Sequence, residues 1–492
     1  MSTTDELLVL KSARGRRVIL ATVLGSGLAS LDATVVNIAL PTIGRDLGGG
    51  MASLQWIVNG YTLTLAALLL LGGALGDRYG RRRVFIIGVL WFTAASMLCG
   101  LATSSVMLTV ARVLQGIGGA LLTPGSLAIL SASFRADERA GAIGAWSGLG
   151  GVAVALGPFV GGYLIQALSW RLVFFINAPL ALIVVVVTQR HVPETRDPAA
   201  GPLDATGAAL AALALSGVTY ALIEAGARGF GAADVVVALA LGLSALVAFV
   251  LVEARRSAPM LELGMFRRRP FGAANAETLL VYAALGGALF LLPVQLQAVL
   301  HYSPLAAGAA LLPTTAMMLL LSSSMGRLAQ RIGPRLPMTV GPLVAGAGLA
   351  LLARVDGGAG YAATVLPAVT VLGLGLAITV APLTATVLAA VPSEKAGIAS
   401  AINNAVARTG GLLSVAILPA AAGLGGGRAF DAARFAAGYP RAMRYAAAGC
   451  ALGALIALWR IGRPPRHDAP PTTSCGLDAP TLAAGRSGRG QG

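Results

Sequence analysis

Charge is scarce in this chain. Asp, Glu, Lys and Arg make up 11% of its 492 residues, where soluble domains carry about 25%, so a fully hydrated protein surface is excluded. Acid is scarcer than base: 20 acidic residues stand against 36 Lys and Arg, a net charge of +16. Three cysteines (Cys99, Cys450, Cys475) cannot build a disulfide framework. Three histidines (His191, His301, His467) stand apart, with no Cys/His cluster at metal-ligand spacing. No G-x-x-x-x-G-K-[ST] phosphate loop occurs, and the glycine-rich GIGGA (Gly116 to Ala120) lies inside an apolar run where it cannot cradle phosphate. No metal, cofactor or enzymatic chemistry is expected, and ATP is not expected as an energy source.

Apolar length is abundant. Hydrophobic residues reach 56% of the chain, with a mean hydropathy of +0.80. They fall in runs of about 20 residues, the length of a bilayer-spanning helix. Glycine numbers 64, and small residues permit the close backbone approach on which helix bundles in lipid depend. About fourteen spans are read, at roughly 18–40, 53–75, 84–103, 106–130, 141–165, 172–189, 205–225, 234–253, 271–299, 304–325, 337–353, 361–390, 397–423 and 441–460. The expected fold class is an all-α polytopic membrane protein. The first run is too long for a cleaved signal and is expected to be retained.

The stretch GALGDRYGRRR (Gly73 to Arg83) carries one acid and four arginines between two such runs. It reads as a short, glycine-rich loop at a membrane surface, and its arginines place that surface in the cytoplasm. A degraded copy, GRLAQRIGPRL, returns at Gly326 to Leu336. One loop type used twice says that the bundle is duplicated, as transporters often are. With both termini inside, about 26 Lys and Arg fall on cytoplasmic segments against about 8 outside, so the high net charge is a topology signal and no nucleic-acid partner is expected. Aligning the two loops leaves two surplus helices between the halves. The expected organisation is a cytoplasmic segment 1–17, a six-helix domain 18–190, a linker 191–270 with two extra transmembrane helices, a second six-helix domain 271–460, and a disordered cytoplasmic tail 461–492 rich in Pro, Gly, Ser and Arg.

Four charged residues lie deep inside spans, where each costs several kcal/mol unless paired or hydrated. Asp32 lies in LDATVVNIALP (Leu31 to Pro41) of the first span, and Arg112 in RVLQGIGGA (Arg112 to Ala120) of the fourth. Their depths, ~12 Å and ~9 Å from one face at 1.5 Å per residue, allow them to pair. Such a pair either couples proton or substrate movement or statically fixes helix packing. Glu277 and Arg408 lie in the ninth and thirteenth spans. They could face one another, Glu277 could read a cationic substrate, or it could be an acid hydrated from the cytoplasmic mouth. In the loop, Gly73 and Gly80 allow a tight turn, Asp77 can face a helix N-terminus and pair with Arg78, and Arg81, Arg82 and Arg83 fix the side and can meet anionic lipid heads. The fifth span holds GPFVGG, where Gly157, Pro158, Gly161 and Gly162 permit a kink and close packing.

Together these motifs resemble the major facilitator superfamily, in particular its fourteen-helix drug:proton antiporter branch of the EmrB/QacA type, from Leu31 to about Trp459. GALGDRYGRRR matches the superfamily's loop signature, and LDATVVNIALP is the more branch-specific pattern. RVLQGIGGA, GPFVGG, SWRLVFFINAP (Ser169 to Pro179) and AGIASAINNAVARTGG (Ala396 to Gly411) add further matches. The resemblance implies a major facilitator fold, alternating access between two rocking domains, and export of hydrophobic or amphipathic drugs driven by inward proton flow. It assigns Asp32 as the protonated acid, Arg112 as its partner, and Asp77 with Arg78 as the gating loop. The second loop copy departs from the first, with Gln330 where Asp77 stands. The expected partners are the lipid bilayer, protons and small hydrophobic or cationic substrates, and the expected location is the inner membrane. Two other readings stay open: an exporter of one dedicated metabolite (a siderophore, lipid or basic amino acid), and a non-transporting scaffold, which would have no need of the embedded charges.

Overall fold

A computed structural model describes residues 7–462 apart from 136, 199–200, 257–258, 357, 359, 393–394 and 426–428. The tail expected from residue 461 lies outside the described residues beyond Gly462. Among the described residues there are fourteen helices long and apolar enough to cross a membrane. In chain order they are α1 (Ala13–Leu47), α2 (Met51–Tyr79), α3 (Arg81–Gly100), α4 (Ser105–Ser133), α5 (Arg139–Ala167), α6 (Leu172–His191) and α7 (Ala205–Arg228). The series continues with α8 (Ala233–Arg255), α9 (Arg269–Val299), α10 (Pro304–Ile332), α11 (Arg335–Leu352), α12 (Tyr361–Ala389), α13 (Ala396–Ala421) and α14 (Ala432–Arg460). Side-chain caps set several starts: Ser12, Ser104, Asp204, Ser303 and Asp431 each accept a first-turn backbone N–H.

The chain is an all-α membrane protein of two six-helix domains, α1–α6 and α9–α14, with α7 and α8 between them. In the first domain α1 packs on α5 and α6, α4 on α2 and α3, and α3 on α6. In the second, α9 packs on α13 and α14, α12 on α10 and α11, and α11 on α14. The pairing is therefore the same in both. So is its closest packing: a Cβ on Gly118 of α4 would lie 2.4 Å from the backbone nitrogen of Phe92 on α3, and one on Gly375 of α12 would lie 2.2 Å from that of Ala345 on α11. At these crossings only glycine lets the backbones meet.

The domains meet at one end. A single apolar cluster joins Val35–Ile43 of α1 and Ile57 of α2 to Leu291–Leu296 of α9 and Val415 of α13. Gln55 Nε2 of α2 donates to Val415 O of α13 at 2.7 Å, and Gln297 Nε2 donates to Ile38 O of α1 at 2.8 Å. Toward the end that carries Gly80, each domain instead has its own cluster, one around Phe85 and Phe134 and one around Phe271 and Met338. The two halves thus close against each other at the end remote from Gly80, while toward the Gly80 end their buried clusters are distinct and Ala405 of α13 packs against that of the first domain.

Helices α7 and α8 pack on each other through Gly217 and Gly242, and α7 also touches α2 and α13, one from each domain. The hairpin therefore straps the closed seam. Trp56 of α2 donates to Glu224 of α7 at 3.1 Å. Most of α8 faces outward with apolar side chains such as Val237, Leu241 and Val247, as a helix bathed in lipid would.

Candidate functional site

The first domain holds a polar site at mid-depth. Arg112 and Asp32, 1% and 0% exposed, form an ion pair between α4 and α1. Arg112 also donates to Gln115 Oε1 at 2.7 Å and, through Nε, to Ile57 O of α2 at 3.1 Å. Its guanidinium lies 4.3 Å from the centre of the Tyr61 ring, a cation–π contact. Gln115 Nε2 donates to Asp32 Oδ1 at 2.8 Å, and Asn177 Nδ2 of α6 approaches the same oxygen at 3.4 Å. Asn177 in turn bonds Ser96 Oγ of α3, which donates to Phe174 O. Every charge in the site is thus met by an opposite charge or a hydrogen bond, the condition under which ions persist in a membrane interior.

The structure therefore brings together Asp32 and Arg112 and adds Tyr61, Ser96, Gln115 and Asn177, which the sequence reading did not single out. Signals for two of them were present. Gln115 follows Arg112 by three residues and shares its helix face, and Asn177 is the polar residue of SWRLVFFINAP.

Glu277 and Arg408 do not meet. Glu277 is fully buried, both its carboxyl oxygens lack a hydrogen-bond partner, and its Cγ lies 3.6 Å from where a Cβ on Gly453 of α14 would stand. It is neither paired with Arg408 nor open to a hydrated mouth. The reason is register: Glu277 points into the α9–α14 crossing, while its neighbours Asn275 and Thr278 point at α13 and accept from Asn403 at 3.2 and 2.8 Å.

The Gly73–Arg83 segment is helical for most of its length, in contrast to the glycine-rich loop expected. Helix α2 runs to Tyr79 and α3 starts at Arg81, so Gly73, Asp77 and Arg78 are helical and the turn is Gly80 alone, at φ +110°. Apolar residues up to Leu75 keep the helix going, Asp77 pairs across the Gly80 turn with Arg81, the first residue of α3, at 2.8 Å, and Arg78, the expected partner of Asp77, reaches Gly201 O instead. The N-terminus of α3 is met by Glu194, which accepts from the backbone nitrogens of Arg82 and Arg83 at 3.0 and 3.1 Å. Arg82 also donates to Val192 O at 3.2 Å. The chain following α6 thus wraps the turn.

The GPFVGG motif sits between two helices. Cβ atoms on Gly157 and Gly161 would collide with Thr34 and Val35 of α1, and one on Gly162 would lie 2.6 Å from Pro304 O of α10. A Cβ on Gly308 of α10 would lie 2.1 Å from Pro158 O. Helix α5 remains continuous through Pro158. The motif is therefore a close-packed contact with α1 on one side and α10 on the other, at the seam between the domains.

Residues 22–415 match the family profile described as Major Facilitator Superfamily. The chain is a member of that superfamily. It is 36% identical over 81% of its length to the multidrug resistance protein Stp of Mycobacterium tuberculosis, covering 74% of that protein. It is 37% identical, over the same shares of the two chains, to the tetracenomycin C resistance and export protein of Streptomyces glaucescens. Its fold matches a crystal structure of a peptide transporter, POT, in complex with sulfate at a TM-score of 0.69, with 14% identity, covering 93% of this chain and 97% of that one. This superfamily member is a multi-pass membrane transporter and not an enzyme.

Proposed function

We propose that the protein is a proton-driven antiporter that exports hydrophobic or amphipathic drugs across the cytoplasmic membrane by alternating access. The observation that carries this reading is the buried Asp32–Arg112 pair set beside a seam that is closed at one end only. The named activities of the two similar proteins, multidrug resistance and tetracenomycin C export, support the drug as cargo. The arginine-rich Gly80 end faces the cytoplasm on this reading, by the excess of basic residues there, and both termini lie on that side.

Asp32 is the group that exchanges the proton. When a proton neutralises it, Arg112 loses its counter-ion and keeps only Gln115, Ile57 O and the Tyr61 ring, so the α1–α4 contact is rebalanced. Because α1 also packs on Gly157 and Gly161, that rebalancing is passed to the α5–α10 seam. The Gly80 turn, with Asp77, Arg81 and Glu194, is the hinge fastening on the cytoplasmic side. One proton moving down ~150 mV supplies about 3.5 kcal/mol, enough for a substrate gradient of about 300-fold.

Cells expressing the protein should accumulate less of a lipophilic dye than cells without it, and a protonophore should erase the difference at unchanged ATP. A difference that survives the protonophore would contradict proton drive.

A further inference from the structure

An arginine at membrane depth carries five N–H donors that must be satisfied. Arg112 has them met. Arg408 of α13 does not: it is half-buried and, among the described residues, has no ion-pair or hydrogen-bond partner.

Its place in the fold explains why. On α13, Asn404, Arg408 and Val415 share one face by helical spacing. At Val415 that face is sealed by Gln55 of α2. From that contact, Tyr61 lies about 9 Å along α2 toward the Gly80 end, and Arg408 about 10 Å along α13 in the same direction. The two therefore share a level, and Arg408 is within electrostatic reach of Tyr61 on α2 and of Tyr282 on α9. Beyond this level Asn404 is exposed, and although Ala405 packs against the first domain's cluster, the buried cores of the two domains are distinct. Arg408 thus stands at the inner limit of the closed seam, level with Tyr61 beside the Asp32 site.

The embedded acids do not offset it there. Asp32 is engaged by Arg112 and Gln115 within the first domain. Glu277 points into the α9–α14 crossing, away from the α9–α13 face. The uncompensated embedded charge at this level of the seam is therefore positive.

We propose that Arg408 reads the substrate, and that it selects amphipathic compounds carrying an ionised phenolate or carboxylate over cationic ones. This rests on the exporter reading above and narrows its amphipathic cargo to anionic compounds. A guanidinium meets a carboxylate through two parallel N–H···O bonds, and its planar face tolerates an attached aromatic ring. Desolvation at the seam strengthens that contact and penalises an approaching cation.

The test uses everted membrane vesicles and three fluorescent probes: fluorescein as an anion, its neutral methyl ester, and ethidium as a cation. Wild type should transport fluorescein at least tenfold faster than ethidium. Arg408→Gln should lower fluorescein transport about tenfold or more and leave the neutral ester within about twofold, which also shows that the variant is folded. Arg408→Lys, which keeps the charge and loses the two-point geometry, should fall between. A uniform loss for all three probes would make Arg408 structural and overturn the assignment. So would a wild-type preference for ethidium, or fluorescein transport that Arg408→Gln leaves unchanged. Wild-type vesicles that move none of the three under an imposed proton gradient would instead contradict the exporter reading.

Discussion

The two six-helix domains share their helix pairing and differ in what they place inside it. The register fixed by Gly118 and Gly375 sets Val369 where the first domain has Arg112 and Leu372 where it has Gln115. The second domain therefore has an apolar crossing at the level of the first domain's ion pair. Its own embedded charges, Glu277 and Arg408, sit on other helices and remain apart. The two turns differ in the same way. Gly80 and Gly333 both have positive φ, yet the first turn is laced by Asp77, Arg81 and Glu194, and Gln330 stands where Asp77 would be. Among the described residues, none of the three arginines around the second turn (Arg327, Arg331, Arg335) forms an ion pair. Duplication preserved the packing, which depends on small residues at backbone contacts, and freed the polar positions to diverge. On the reading proposed above, the first domain handles the proton and the second meets the cargo.

The largest effect that would break this comparison comes from Arg112. Arg112→Ala leaves Asp32 buried without its cation and should cost about 3–5 kcal/mol of stability, read as a sharp fall in the thermal transition in detergent. Pairing it with Asp32→Asn should restore a large part of the loss. Among the described residues Arg408 has no such rescue partner, and its replacement by Gln should change stability by less than about 1 kcal/mol. Gly118→Val and Gly375→Val should each cost about 1–3 kcal/mol by overpacking, and near-equal losses would confirm that the two crossings are equivalent. Glu194→Ala should cost about 0.5–2 kcal/mol, the loss of a helix-end acceptor. Glu277→Gln should have the smallest effect: the proton yield per substrate should stay unchanged, because this acid faces the α9–α14 crossing. A lowered yield would move part of the coupling into the second domain.

Much of this was legible in the sequence. Fourteen apolar runs and two copies of one arginine-bearing turn give the fold, because span length and basic loops are direct consequences of a bilayer. Asp32 and Arg112 were legible because a charge inside a span must have a partner, and simple depth arithmetic brought the two to one level. Helix rotation was not legible. It decides that Glu277 faces Gly453 while Asn275 and Thr278 face Asn403, and no count along a single helix supplies it. The extent of α2 was not legible either: glycines from Gly73 to Gly80 suggest a loop, whereas the helix runs to Tyr79 and only Gly80 turns. The segment that wraps that turn, with Glu194, carries no motif, and its role follows only from tertiary contact.

The central claim is that Asp32 exchanges the proton that drives export. The most direct measurement is substrate-induced proton efflux from everted vesicles, with wild type beside Asp32→Asn at matched protein levels. Proton efflux on adding a transported compound, present in wild type and absent in Asp32→Asn, is the predicted result. Equal efflux from both would contradict the account and remove Asp32 from the coupling step.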